Sequence, residues 1–254
     1  MATVALVELV TYLNEFLNIE NFSDYPGAVN GLQVENSGQV GKIVACTDAC
    51  QATIDAAVER GADLMVVHHG LFWGDGLVPL TDRNYRRISS LIAHDIAVYS
   101  AHLPLDAHPK VGNNVKLAEA IGLAISGGFA EFEGHEIGVW GELDLGREEL
   151  SARLEKSLGQ PPFLIAAGSE RVRRVGILSG GGSAHIAEAR DRRLDTFVTG
   201  EGQHYTYFEA EEWGLNVFYA GHYATETLGV RALASHLAEQ FDLAWEFIDH
   251  PTGL

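Results

Sequence analysis

Three short stretches of the chain end in imidazole and carboxylate groups. They are Val66-Val67-His68-His69-Gly70, Ala101-His102-Leu103-Pro104-Leu105-Asp106 and Gly221-His222-Tyr223-Ala224-Thr225-Glu226. Each follows an apolar run of strand character, so each delivers its polar groups at a strand end. Neighbouring strand residues point to opposite faces. His68 and His69 therefore serve one site only if the extended conformation ends between them, with Gly70 letting the backbone turn. A helix starting near His222 would stack His222 and Glu226 one turn apart on one face. Neutral imidazole and carboxylate make a borderline-hard donor set that suits Zn, Fe(II) or Mn(II). Two carboxylates among several imidazoles exceed what one tetrahedral ion takes, and carboxylates bridge; the economical expectation is two divalent ions about 3.5–4 Å apart. A lone histidine at a strand end is more often a hydrogen-bonded structural residue. It is the convergence of three strand ends that favours the metal reading.

The elements that must position these groups alternate along the chain. Strand-like runs at residues 43–46, 64–67 and 96–100 are separated by helical runs at 52–60 and 85–94, and another helix follows at 113–121. This order predicts a mostly parallel sheet covered on both faces, with ligands bound at its carboxyl edge. The pattern breaks around Ser126-Gly127-Gly128. A second α/β set follows, with strands at 137–143, 174–178, 196–198, 216–219 and 245–248 and helices at 148–158, 184–190, 205–213 and 226–240. The expected fold class is α/β, two units with mostly parallel sheets flanked by helices and the metal site at strand carboxyl ends. Residues 1–125 would carry His68, His69 and Asp106, and 126–254 His222 and Glu226, with the C-terminal elements able to pack back on the first unit.

Composition narrows the class. Acidic residues outnumber basic ones 35 to 17, and the net charge of −18 argues against general binding to nucleic acid or anionic membranes. No basic residue precedes Lys42, so the start lacks the charged region of a signal peptide. Leu6, Leu9, Val10, Leu13, Phe16 and Leu17 instead recur at helical spacing. No apolar run is long enough to span a bilayer, and a soluble, cytoplasmic protein is expected. Cys46 and Cys50 form neither a disulfide scaffold nor a zinc-knuckle pattern and read as buried thiols.

Together with Asn30-Gly31-Leu32-Gln33-Val34-Glu35 and Thr199-Gly200-Glu201, the three motifs resemble the GTP cyclohydrolase I type 2 homologue family, the Nif-three-like metalloproteins. The match runs in order from the N-terminal helix to near the C-terminus, and the stretch from Gly221 to Glu226 is its most specific part. The resemblance implies a dinuclear metal site on His68, His69, Asp106, His222 and Glu226. It also implies two related α/β units and a toroidal homohexamer. The chain is similar to the short members of the family, since it has no room for the extra central domain of the long ones. It departs at Tyr205, where family members usually carry a second histidine beside the one at His204.

Further candidates for the chemistry stay open at this level. His204 either faces the metals as a proton donor or substrate contact, with Glu201 orienting it, or caps and solvates a helix start together with Glu201. His102 either supports a ligand or acts as general acid or base. Ser179-Gly180-Gly181-Gly182-Ser183 reads as a tight turn permitting close packing, or as a phosphate cradle. Arg83, Arg86 and Arg87 read as an exposed helix face or as contacts for an anionic substrate, and Phe72 and Trp73 as a wall against water or as core. The function expected is a metal-dependent hydrolase acting on a small, nucleotide-like molecule. The alternatives are a ring-shaped metal-binding scaffold or regulator, and a metal-dependent phosphoesterase, which would need cationic phosphate contacts.

Overall fold

The computed structural model describes residues 3–73 and 78–254. In chain order these form β1 (Val4–Ala5), α1 (Leu6–Phe16), β2 (Gly31–Val34), β3 (Gln39–Val40), β4 (Lys42–Asp48), α2 (Gln51–Glu59), β5 (Leu64–His69), α3 (Asp82–Ala93), β6 (Ala97–Ser100) and α4 (Leu103–Asp106). Then follow α5 (Asn113–Ile121), β7 (Ala124–Phe132), β8 (His135–Gly146), α6 (Arg147–Leu158), β9 (Phe163–Ala166), β10 (Arg171–Leu178), α7 (Ile186–Asp191), β11 (Thr196–Thr199), α8 (His204–Trp213), β12 (Asn216–Tyr219), α9 (His222–Phe241) and β13 (Ala244–Phe247). The chain divides into two compact units, Met1–Leu105 with Gly229–His250, and Asp106–Leu228 with Pro251–Leu254.

The first unit is built on a five-stranded sheet ordered β13-β4-β5-β6-β2. Its first four strands run parallel, and β2 closes the edge antiparallel to β6. Val44, Cys46, Met65, Val67 and Val98 bury one face under Ile54 and Ala57 of α2 and Leu91 of α3. Ile43, Ala45, Leu64 and Val66, which alternate with them and so point to the other face, are equally buried. A sheet covered on both sides explains why these strands read as unbroken apolar runs. The edge strand β2 lacks that signature, having only Leu32 and Val34 to bury, and from sequence it reads as loop.

The second unit carries a six-stranded sheet ordered β7-β8-β10-β11-β12-β9. Parallel pairing is confined to β10, β11 and β12, and antiparallel strands flank this centre on both sides. The break at Ser126-Gly127-Gly128 is a register shift inside β7, between Ile125 and Gly127. β7 turns into β8 through Glu133 and Gly134, both at positive φ (47° and 86°), as a two-residue hairpin requires. The boundary expected near residue 125 is thus displaced to Leu105/Asp106, and Asp106 belongs with the second unit. The cause is α5, whose Leu117, Ala118 and Ile121 pack with Leu150 and Leu154 of α6 and Val172 and Val175 of β10.

Candidate metal centre

In the first unit the carboxyl ends of β4, β5 and β6 present Asp48, His68–His69 and, just past β6, His102. His68 is fully buried. Its Nδ1 lies 2.9 Å from the carbonyl oxygen of Ala101, which only accepts, so Nδ1 carries the proton and Nε2 is the basic nitrogen. His69 Nδ1 lies 2.8 Å from Asp48 Oδ1, and the two residues are register partners across β4 and β5. His102 Nδ1 lies 2.8 Å from Asp24 Oδ1. Burial pushes the Asp24 carboxyl up. The hydrogen bond and charge of His102, with hydrogen bonds from Asn30 and the Tyr25 amide, outweigh that and leave it below its ordinary value. Asp24 is therefore an anionic acceptor. One donor atom from each of His68, His69 and His102 lies within 4.8 Å of the others, a group that can hold a metal ion.

Two expectations about this stretch change. The strand does not end between the histidines; β5 runs through His69. The rings nevertheless converge, with centroids 4.7 Å apart, because His68 is drawn toward the end of β6 and His69 toward the end of β4. Gly70 is required for room rather than for a left-handed turn: a Cβ there would sit 2.4 Å from Gln33 Nε2 and 2.6 Å from Ser100 Oγ. Gln33 in turn accepts the Leu71 amide at 2.7 Å, and Asn30 Oδ1 accepts the His102 amide at 2.8 Å. The Asn30–Val34 motif thus shapes both turns. Trp73 is 42% exposed and so is not core; its ring stands edge-on to His102 and His69, a wall over the imidazoles.

In the second unit α9 begins at His222, and His222 Nε2 lies 3.2 Å from Glu226 Oε2 one turn on. Glu201 Oε1 lies 3.0 Å from His222 Nδ1. The hydrogen bond to Glu226 raises the pKa of His222 to about 9, against burial and with help from the charge of both carboxylates. Glu226 is 3% exposed and Asp106 4%. Asp106 Oδ1 accepts hydrogen bonds from Asn113 Nδ2 (2.8 Å) and Ser179 Oγ (3.0 Å). The glycine loop explains itself here. Gly180 has φ +63°, and a Cβ on it would stand 2.0 Å from Glu226 Oε1. The amides of Ser179, Gly180 and Gly182 are given to Asn114 Oδ1, Thr225 Oγ1 and Thr199 Oγ1. With these three amides engaged and Gly180 against Glu226, the loop packs closely as a tight turn.

A full-length comparison fits this geometry. The model of the Duf34/NIF3 (NGG1p interacting factor 3) family matches residues 4–252. The chain belongs to the DUF34/NIF3 family. A relative from Deinococcus radiodurans, named GTP cyclohydrolase 1 type 2 homolog, is 43% identical over 249 residues, 97% of this chain and 94% of its own. Among solved structures, protein ybgI, described as of unknown function, matches with a TM-score of 0.92 and 40% identity over 99% of this chain and 100% of that one. TTHA1606 from Thermus thermophilus matches with a TM-score of 0.90 and 41% identity, over 99% and 100% of the two chains. Within this family fold, sequence reasoning missed Asp24 and Asp48. Asp48 carries a detectable signal, since it ends β4 as His69 ends the neighbouring β5. Asp24 lies in a loop without periodicity. The partner expected for Glu201 also changes: its carboxylate holds His222, whereas His204 stands exposed at the start of α8 with its ring edge-on to Phe208. There His204 lines a cleft of about 470 Å³ with Phe163, Tyr207, Phe208 and Tyr219. Arg83 and Arg86 lie on the exposed face of α3. Among the described residues no helix is long and apolar enough to cross a membrane.

Proposed function

We propose that this protein is a metal-dependent hydrolase of small, nucleotide-like substrates, with two divalent ions held by His68, His69, Asp106, His222 and Glu226. The observation that carries the reading is the tautomer control at the imidazoles. The Nδ1 atoms of His68 and His69 are bonded to acceptors, so Nε2 is the nitrogen whose lone pair would face a cation. Buried Asp106 and Glu226 add anionic oxygens, and the mixed imidazole–carboxylate set fits Zn, Fe(II) or Mn(II). Bound divalent ions would lower the pKa of water to near neutrality and polarise the group under attack.

The chain's own groups do the rest. Ser179 and Asn113 fix the Asp106 carboxylate, Glu201 sets the His222 ring, and Trp73 limits water over His69. His204 meets the substrate from its apolar cleft. The relatives' name points to hydrolytic opening of a guanine imidazole ring as the first reaction to test. The toroidal homohexamer implied by the resemblance and the cytoplasmic location expected from the sequence belong to the same proposal, and sedimentation analysis checks the assembly. The decisive experiment is an assay of the chain reconstituted with Zn, Mn or Fe(II) against nucleotides and phosphoesters, beside Asp106→Asn. Turnover of a nucleotide that falls at least about 100-fold in Asp106→Asn is the expected result. No turnover on the whole panel at full metal occupancy would leave a metal-binding scaffold instead.

A further inference from the structure

The cleft that His204 lines lies wholly within the second unit, at the carboxyl end of β12. Its walls are aromatic. Phe163 and Tyr219 are register partners across β9 and β12, and their rings lie parallel to within 8° with centroids 6.1 Å apart, a platform of two rings. Tyr207 and His204 stand edge-on to Phe208, at 5.7 and 5.4 Å between centroids. Tyr219 is anchored from behind. Thr206 gives its hydroxyl proton to the Gln203 carbonyl (2.6 Å), so the Tyr219 hydroxyl donates to Thr206 Oγ1. Burial, with the charges of Tyr205 and Glu209, pushes the Tyr219 hydroxyl above its ordinary value despite that bond, and the ring is a neutral phenol. Gly202 lies against the same ring, and a Cβ on it would overlap Tyr219. Phe163 is 60% and Phe208 49% exposed, so these rings are not core. Large apolar rings left open around a concave site mark a place where a ligand is held.

We infer that this cleft binds the planar heteroaromatic ring of the substrate by stacking on Phe163 and Tyr219, and that it takes no part in holding phosphate. The identification of the ring as the substrate's rests on the hydrolase reading and deepens it; the stacking site itself does not depend on it. A cleft of about 470 Å³ accommodates a bicyclic base, and the exposed Gln203 and His204 supply hydrogen-bonding groups at its rim. Among the described residues that line it none is basic, so a phosphate finds no charge partner there. The cleft continues the site around His222. Glu201, whose carboxylate lies 3.0 Å from His222 Nδ1, is followed directly by Gly202 and Gln203 of the cleft wall, and Tyr219 precedes His222 by three positions. A ring seated on the platform therefore sits beside the carboxylate–imidazole pair. Stacking accepts any flat ring, since every base has a π face, and a bicyclic ring covers more of a two-ring platform than a single one.

The test is equilibrium dialysis of the full chain, loaded with Mn2+ and again after chelation, against guanosine, uridine and ribose 5-phosphate. Guanosine carries no charge for the −18 field to repel, so it is expected to bind in both states, more tightly than uridine and with no change between about 0.01 and 0.15 M salt. Ribose 5-phosphate is expected not to bind the chelated chain. Phe163→Ala and Phe208→Ala remove exposed rings and leave the core as it is; each is expected to weaken guanosine about 5- to 100-fold, and Phe163→Trp, which keeps a π face, to retain it. Gly202→Ala, which drives the Tyr219 ring aside, is expected to weaken it as well. Guanosine that binds neither state, or binds both alanine variants of the exposed rings unchanged, overturns the inference and leaves the hydrolase reading to the Asp106→Asn assay. Phe208→Ala that lowers the sedimentation coefficient and spares guanosine binding would make the rings a contact between copies of the chain, and the inference falls. Guanosine held as described, with no nucleotide turned over, removes the hydrolase reading and not the stacking site.

Discussion

His222 sits between two carboxylates, and its proton is the clearest pH-dependent feature of the chain. Its folded pKa of about 9 lies above the ordinary 6.5. In the metal-free chain the pairing therefore contributes stability that is full below pH 6.5 and is lost as pH rises through about 9. A cation that takes Nε2 must displace that proton. Binding at about pH 7 is expected to release close to one proton from His222, and at about pH 10 none. Calorimetry in buffers of different ionisation enthalpy reads the number, and a heat independent of buffer at about pH 7 would remove His222 from the ligands. Gly180 makes the other residue-scale prediction. Alanine there combines a left-handed φ with a Cβ 2.0 Å from Glu226 Oε1. Gly180→Ala is expected to cost about 1–3 kcal/mol in denaturant unfolding and to lower metal content by moving Glu226.

At the scale of elements, α5 ties the second unit's core to Asp106. Its apolar face enters the core, while Asn113 bonds the Asp106 carboxylate. Asn114, fully buried, bonds the carbonyls of Asp106 and Ile137 and accepts the Ser179 amide. Asn114→Ala leaves three buried backbone groups without these partners. A loss of about 2–4 kcal/mol, or a Tm lower by on the order of 10 °C, is expected by thermal unfolding, with reduced metal content. α5 also shows what sequence could and could not tell. Its helical period was legible, but its allegiance was not, because an apolar stripe does not name the sheet it covers. Strands buried on both faces and ending in histidine announced themselves through β-branched runs. The edge strands β2 and β9 are four residues each, pair antiparallel and expose part of their side chains, so no period marks them. The donor residues were readable by type and spacing, whereas their supports were not. Asp24 and His102 lie 78 positions apart and meet only through the fold.

At the scale of the whole molecule, net charge decides what an anionic substrate must overcome. With 35 acidic and 17 basic residues the chain carries −18, a field that gathers divalent cations and repels nucleotides. Arg83 and Arg86 lie exposed on α3, and three of the glycine loop's amides, those of Ser179, Gly180 and Gly182, are engaged internally. In the proposed reaction, the positive charge that receives a nucleotide is then the pair of divalent ions. Two results follow from this one cause. Metal-free protein is expected to retain no GTP in equilibrium dialysis, and protein loaded with Mn2+ to retain it measurably. Raising ionic strength from about 0.01 to 0.15 M, which shortens the Debye length from roughly 30 to 8 Å, is expected to weaken apparent Mn2+ affinity. Retention of GTP by the metal-free chain would show that a protein cation, not a metal, meets the substrate, and would move the search for the site to the arginines.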